Sequence, residues 1–513
     1  MKHINKIFSL LLALVMVLSL TTTAFAADDN KITIEITNPD ANTSVAGHTY
    51  NVYQIFTGVV AKDGKTLSDV AFGQNYAPAD TTVEDAMATL SAMKGAEAAA
   101  YLETKIVGEP IAVLKDSNNH KAENLDAGYY LIVDVSTGLP QGEISSAYIL
   151  QALEDVAIKS KHSAGPKVEK KIDDANDSVD LNNPDDDVPE IVWADSADHD
   201  IGDMIPFKLE MIVPSSFAQF KEYEEAYRFV FHDTEERGLT FQPDTVVVKI
   251  DGTVITSGYE VDTAPEDKHT FDVIFADLTA IESVKVGSKV TVEYKSRLNE
   301  SAVLGQQGNV NTVYGEYSNL HRPEYPGRTP DDTVIAFTYK VVVNKVHQTG
   351  VDEEGKPVYE ELEGAAFTLE KYIAQTGKWI AIQQVETEPG TTFTFTGLDD
   401  GNYRLTETAT PDGYNSIDPI TFTVTAAHEV EWTTDLERDD ILTSLSGNVT
   451  TGEIKFTASN DLGTLSTDVV NESGLVLPET GGIGTTIFYI VGGLLTVGAV
   501  VLLVTKKRMG ADA

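Results

Sequence analysis

Alternation of apolar and polar side chains with a period of two constrains this chain more than any other feature. Ile32-Thr33-Ile34-Glu35-Ile36 shows it first, and similar runs recur from Thr245 to Ile250, Lys289 to Tyr294, Tyr339 to Val343, Thr391 to Thr396 and Pro419 to Val424. Successive side chains of a strand point to opposite faces, so each run reads as a strand with one buried face. Turn formers separate the runs, as in Leu398-Asp399-Asp400-Gly401 and Pro411-Asp412-Gly413. The pattern predicts a mainly β chain of tandem immunoglobulin-like β-sandwiches. One helix is expected in the first domain. Thr81 and Glu84 fit a capping box there, and Val83, Met87, Leu90 and the alanines up to Tyr101 follow helical spacing.

None of the 513 residues is cysteine, yet the amino terminus reads as a secretory signal. Lys2 and Lys6 precede an apolar stretch from Ile7 to Leu20, and Ala24-Phe25-Ala26 supplies the small-x-small cleavage pattern. Cleavage after Ala26 is expected, making 1–26 the signal peptide. Disulfides are the ordinary staple of an exported domain. Here stability must come from packing or from another cross-link, and thiol chemistry is excluded. Near the other end, 483–505 is apolar, uncharged and long enough to cross a hydrocarbon core of roughly 30 Å as a helix. Lys506-Lys507-Arg508 follows at once and is expected to stay cytoplasmic. With 37 basic against 80 acidic residues the net charge is −43, which argues against nucleic acid and anionic lipid as partners.

Polar, charged stretches at Ser160 to Pro166 and His321 to Asp332 divide the exported chain. The expected units are 27–163, 164–335 and 336–471, with 472–513 as a terminal signal. The acidic run from Asp173 to Pro189 lacks the ligand spacing of an EF-hand and reads as a solvated loop. No metal-ligand cluster, nucleophile elbow or phosphate loop is visible in the spacing. No metal, no cofactor and no turnover enzyme are therefore expected.

Leu477-Pro478-Glu479-Thr480-Gly481, placed before the apolar span and its basic stop, resembles the cell-wall sorting signal of Gram-positive surface proteins. Other segments are similar to Gram-positive pilus subunits of the isopeptide-forming fimbrial kind. They are His48-Thr49-Tyr50-Asn51-Val52-Tyr53 and Gly128-Tyr129-Tyr130-Leu131-Ile132 in the first domain, and Phe229-Val230-Phe231-His232-Asp233 in the second. In the third, Leu362-Glu363-Gly364-Ala365-Ala366-Phe367 and Tyr403-Arg404-Leu405-Thr406-Glu407 resemble collagen-adhesin (Cna) B-type domains. The resemblance implies that a sortase cuts between Thr480 and Gly481 and passes the Thr480 carbonyl to an amine. It also implies Lys–Asn amide cross-links inside domains, promoted by a neighbouring Asp or Glu.

Candidate residues for those cross-links lie on apolar strand faces. Val341, Val343 and Lys345 share one face of the third domain. Its acid would be Glu407, on the face of Tyr403 and Leu405, and its acceptor Asn471, with Asn460 as the alternative. Val168, Lys170 and Ile172 repeat the pattern in the second domain, favouring Lys170 over Lys171. Asp233 would be the acid and Asn311 the acceptor, with Asn309 as the alternative. No equally convincing triple is visible in the first domain. Burial suits this chemistry, because it disfavours the charged forms of both lysine and carboxylic acid.

For the sortase step, backbone pilins of the family offer a lysine in a motif resembling Tyr-Pro-Lys near the end of the first domain. Val156-Ala157-Ile158-Lys159-Ser160-Lys161 matches in part and places the acceptor at Lys161, with Lys159 as the alternative. The implied protein is the shaft subunit of a covalent surface pilus, secreted and anchored to the cell wall. Its implied partners are a sortase, further pilin subunits and peptidoglycan. An accessory pilin or wall-anchored adhesin that binds host matrix proteins is the alternative.

Overall fold

The computed structural model describes residues 31–38, 44–93, 95–137, 141–160, 163–175, 191–320, 323–373, 376–385, 390–429, 431–433 and 436–474. Ala26, Lys161, most of the acidic loop, the Leu477–Gly481 motif and the 483–505 span lie outside the described residues. The described chain is built mainly from antiparallel sheets, arranged as three successive domains.

In the first domain a three-stranded sheet packs against a five-stranded one. Ile32, Ile34 and Ile36 fill the space between them with Tyr50, Val52, Tyr130 and Ile132. The other face of the larger sheet is covered by helices, through Phe56, Tyr129 and Leu131 against Met87, Leu90 and Leu102. Its strand Gly128–Asp134 is therefore buried along its whole length. That is why its sequence runs apolar without alternating. The single expected helix is two helices, Val83–Ala92 and Gly95–Glu103. Met93 turns extended between them, ahead of Gly95. Thr82, rather than Thr81, is the cap: its hydroxyl accepts from the Asp85 amide at 3.1 Å.

The second domain is a sandwich. Phe207, Leu209 and Met211 of the strand Met204–Ile212 interlock with Phe229 and Phe231 of Phe229–Glu235. A further helix, Phe217–Tyr223, was not expected from sequence. It is seven residues long, too short for a helical period to show, and it buries Phe217 and Phe220 against Tyr227. The third domain packs two five-stranded sheets. Its first strand, Tyr339–Val351, runs parallel to its last, Thr464–Val470.

One strand joins the second and third domains. Along Asp332–Phe337, Val334 and Ala336 enter the core of the second, while Ile335 and Phe337 enter that of the third. The junction is reinforced where Arg438 grips Glu236 through two bonds of 2.9 and 2.8 Å. Gly305 and Gly463 also meet backbone to backbone there, so a Cβ on Gly305 would lie 2.2 Å from the Gly463 amide.

Candidate functional site

In the second domain the strand Lys167–Asp173 begins one sheet of the sandwich, and Asp233 and Asn311 project from the other. Lys170, Asp233 and Asn311 all have zero exposure. The Lys170 ammonium donates to Asp233 Oδ2 and, at 2.8 Å, to the Tyr294 hydroxyl. Tyr294 in turn donates to Asp233 Oδ2 at 3.0 Å and accepts from Asn311 Nδ2 at 2.9 Å. One phenol thus contacts all three groups. Phe207 and Tyr294 flank the ammonium. Asn311 Oδ1 and Asp233 Oδ1 are buried without a hydrogen-bond partner. A proton on Asp233 is the donor that this pocket lacks.

Burial dominates the electrostatics. It lowers the Lys170 pKa despite the attraction of Asp233, and raises that of Asp233 despite Lys170. Both shifts favour the neutral pair. Glu235, two residues along the same strand, is pushed up to about 7 by burial and by the Asp233 charge. It accepts from Ser296 and, at 3.5 Å, from Asn311 Nδ2.

The third domain repeats the constellation with a different route. Lys345 lies opposite Val469 in the parallel ladder, which brings Asn471, just past the strand end, beside it. The Lys345 ammonium donates to Asn471 Oδ1 and lies 3.4 Å from Glu407 Oε1. Asn471 Nδ2 donates to Glu407 Oε1 at 3.0 Å, so the three groups close a triangle. Glu407 comes from the facing sheet and is further fixed by Thr410 and the Ile417 amide. Lys345 and Asn471 have zero exposure, and burial lowers the lysine pKa.

The alternative asparagines have other work. Asn309 Oδ1 accepts from the Val303 amide at 2.8 Å, and its Nδ2 donates to the Val303 and Ala336 carbonyls. Asn460 sits before the far end of the last strand and donates to the Thr443 carbonyl. Lys171 faces outward to Asp195 at 2.7 Å. Sequence reasoning missed Tyr294, although Val290, Val292 and Tyr294 alternate as Val341, Val343 and Lys345 do. It also missed Lys371, buried between Asp200 at 2.7 Å and Asp399 at 2.6 Å across the domain junction. Asp399 had the look of a turn residue only.

No lysine is buried among the described residues of the first domain. Its buried polar centre is His48, between Asp134 at 2.7 Å and Glu143 at 2.5 Å. Burial alone would lower the His48 pKa, but the two carboxylates outweigh it and raise it. Lys159 ends an edge strand with its side chain in solvent. Ser160 turns inward to the Tyr50 hydroxyl at 2.9 Å.

Residues 344–437 match the family described as the SpaA prealbumin-like fold domain, and 471–509 match the LPXTG cell wall anchor motif. The third domain is a SpaA-type prealbumin-like domain. The chain carries a Gram-positive cell wall anchor behind it. The trypsin-resistant surface T6 protein of Streptococcus pyogenes serotype M6 is 24% identical over 372 residues, 60% of this chain. The match spans 65% of the T6 protein, just under two thirds of its length. Among solved structures, the T6 backbone pilin of serotype M6 Streptococcus pyogenes is similar with a TM-score of 0.52 and 18% identity. That match covers 88% of this chain and 100% of the T6 pilin chain. The full-length major pilin SpaD of Corynebacterium diphtheriae gives 0.51 and 17%, covering 88% and 100%. The SpaA-type domain and the sandwiches before it therefore share the fold of known major pilins.

Proposed function

We propose that this chain is the shaft subunit of a covalent surface pilus, stiffened by two internal amide cross-links. The observation that carries the reading is the pair of buried lysine–acid–asparagine sites in a chain with no cysteine. Each site ties an early strand of its domain to a late one, so tension along the chain loads a covalent bond rather than ladder hydrogen bonds.

In each site the lysine first passes a proton to the carboxylate with which it is paired, leaving a neutral amine and a neutral acid. The acid then polarises the asparagine carboxamide by hydrogen bonding. The amine nitrogen attacks the side-chain carbonyl carbon and forms the new C–N bond, one amine proton passes by way of the carboxyl group to the asparagine nitrogen, and the old C–N bond breaks to release ammonia. The acid ends neutral, as it was at the moment of attack. Folding holds the groups in contact, which can replace about 7–11 kcal/mol of the barrier. Each site reacts once, so the protein is a substrate of its own fold rather than a turnover enzyme. Asn311 and Asn471 are the acceptors on this reading, since Asn309 and Asn460 are engaged elsewhere.

Between subunits, a sortase joins the Thr480 carbonyl to Lys161, with Lys159 as the second candidate. A head-to-tail joint of this kind does not close on itself and so gives a filament. Lys161→Arg and Lys159→Arg, made separately in cells that carry the sortase, test this. Loss of the high-mass ladder on denaturing gels in one variant supports the shaft. A single wall-linked band from the unaltered protein contradicts it and leaves a wall-anchored adhesin.

A further inference from the structure

Behind the strand that carries Asp233, on its opposite face, a second constellation gathers that the cross-link does not use. His232 and Asp272 are directly opposite in the antiparallel ladder. Asp267 and His269 come from the loop that enters the Asp272 strand. Lys268 between them takes a left-handed conformation, with φ of 73°. That conformation is uncommon for a side chain of this kind, and it leaves both flanking residues against the same pair. One ligand atom from each of the four residues lies within 4.8 Å of all the others.

The spacing is that of co-ligands. His232 Nδ1 is hydrogen-bonded to Asp272 Oδ1 at 2.9 Å, a contact an ion would replace, and lies 3.7 Å from Asp267 Oδ2. His269 Nδ1 is 2.9 Å from Asp267 Oδ1 and 3.5 Å from Asp272 Oδ1. A tetrahedral ion with bonds of about 2.0–2.1 Å requires ligand separations of about 3.3 Å, in the middle of that range. His269 Nδ1 is buried and, despite its short distances, makes a hydrogen bond to neither carboxylate. Its other nitrogen is 3.4 Å from the Tyr314 hydroxyl. A ligating imidazole is oriented by a hydrogen bond at its other ring nitrogen, most often to a carboxylate, a carbonyl or water, and here the tyrosine hydroxyl takes that place. Tyr314 also stacks on His232, with ring centroids 4.7 Å apart. Two carboxylates and two neutral imidazoles balance one divalent charge. His232 and Asp272 are buried while half of the Asp267 side chain is exposed, which leaves a way in from solvent.

We propose that His232, Asp267, His269 and Asp272 form a binding site for one divalent transition-metal cation of the Zn2+ class. The mixed nitrogen and oxygen set suits Zn2+ and its neighbours, whereas Ca2+ takes oxygen ligands in larger number. Bound there, the ion would clamp the 267–269 loop onto the strand that holds Asp233. The loop already touches that strand, since the Thr270 amide donates to the Asp233 carbonyl at 2.7 Å. Three of the ligands, Asp267, His269 and Asp272, lie within six residues of sequence, and only the fold brings His232 from a separate strand to join them.

The test is calorimetric titration of the chelator-treated chain, Ala27 to Thr480, with Zn2+ and separately with Ca2+. One saturable Zn2+ per chain is expected, with no comparable Ca2+ binding, and Co2+ should give the intense visible absorption of a tetrahedral site. Asp267→Asn and His269→Ala alter the accessible side of the site and spare the buried core. Each should weaken Zn2+ by more than the ~10–100-fold typical of losing an outer contact. Circular dichroism of both variants should match the parent. Absence of saturable Zn2+ binding, or equal affinity in parent and variants, overturns the proposal.

Discussion

Glu407→Gln is the sharpest perturbation of the third-domain site. Gln keeps the shape, and its single carbonyl oxygen can replace either Glu407 Oε1, which accepts from Asn471 Nδ2, or Oε2, which accepts from Thr410 and the Ile417 amide, but not both. It cannot take the Lys345 proton, so the amine stays unactivated and no ammonia leaves. The bond would close a loop in which Lys345 and Asn471 are 126 positions apart. Cross-linking a loop of that size contributes about 5 kcal/mol by the chain-entropy argument. For a domain of this size 1 kcal/mol moves the melting temperature by about 3–5 °C, so a fall of roughly 15–25 °C is expected. Lys345→Met is the companion variant, because it removes the amine without leaving a buried cation. Differential scanning calorimetry paired with intact mass reads both effects. Each variant should gain one ammonia relative to the parent's deficit; Lys345→Met should lose the cross-link's melting increment, and Glu407→Gln at least as much, because it also leaves the buried Lys345 cation without its carboxylate. If Glu407→Gln retains the full ammonia deficit, the acid role assigned to Glu407 is wrong. If the bond is lost while the melting temperature holds, the stabilising role is wrong.

Tyr294→Phe removes the hydroxyl that contacts Lys170, Asp233 and Asn311. The second-domain bond should then form more slowly than in the parent, followed by mass after refolding, while the third-domain bond forms at the parental rate. Gly305→Ala should loosen the second–third junction, because its Cβ meets the Gly463 amide and the Asn460 carbonyl, and limited proteolysis should cut there first. His428 is held down to about 4 by burial and by the His199 charge, against an ordinary value of 6.5. The unfolded chain therefore takes up a proton below pH 6.5 that the folded chain refuses until about pH 4. Its contribution is full above pH 6.5 and falls by up to about 1.4 kcal/mol per pH unit down to about pH 4. Asp174, 3.4 Å away and pushed up to about 7, runs the other way. The informative quantity is thus parent minus His428→Gln, from urea unfolding at several pH values, and it should shrink on acidification across that window.

Much of the fold is legible because a half-buried strand writes its geometry into the sequence. Lys345 and Lys170 stand out as cations on otherwise apolar faces, and the structure buries both completely. What the sequence conceals depends on contacts between distant segments. Choosing between Asn309 and Asn311 needs to know that the Val303 loop occupies the first. Tyr294 is indistinguishable from an ordinary core aromatic until its hydroxyl is seen among three reactive groups. Lys371 is stabilised by carboxylates from two domains, so no single segment announces it. The helix break at Met93 was hidden because the alanines on either side keep helical spacing across it.

The intact mass of the exported chain, Ala27 to Thr480, tests the central claim most directly. Two intramolecular amides require a mass below that of the sequence by two molecules of ammonia. Peptide mapping should place the links at Lys170–Asn311 and Lys345–Asn471. A mass equal to that of the sequence would contradict both cross-links, and with them the covalent account of the shaft.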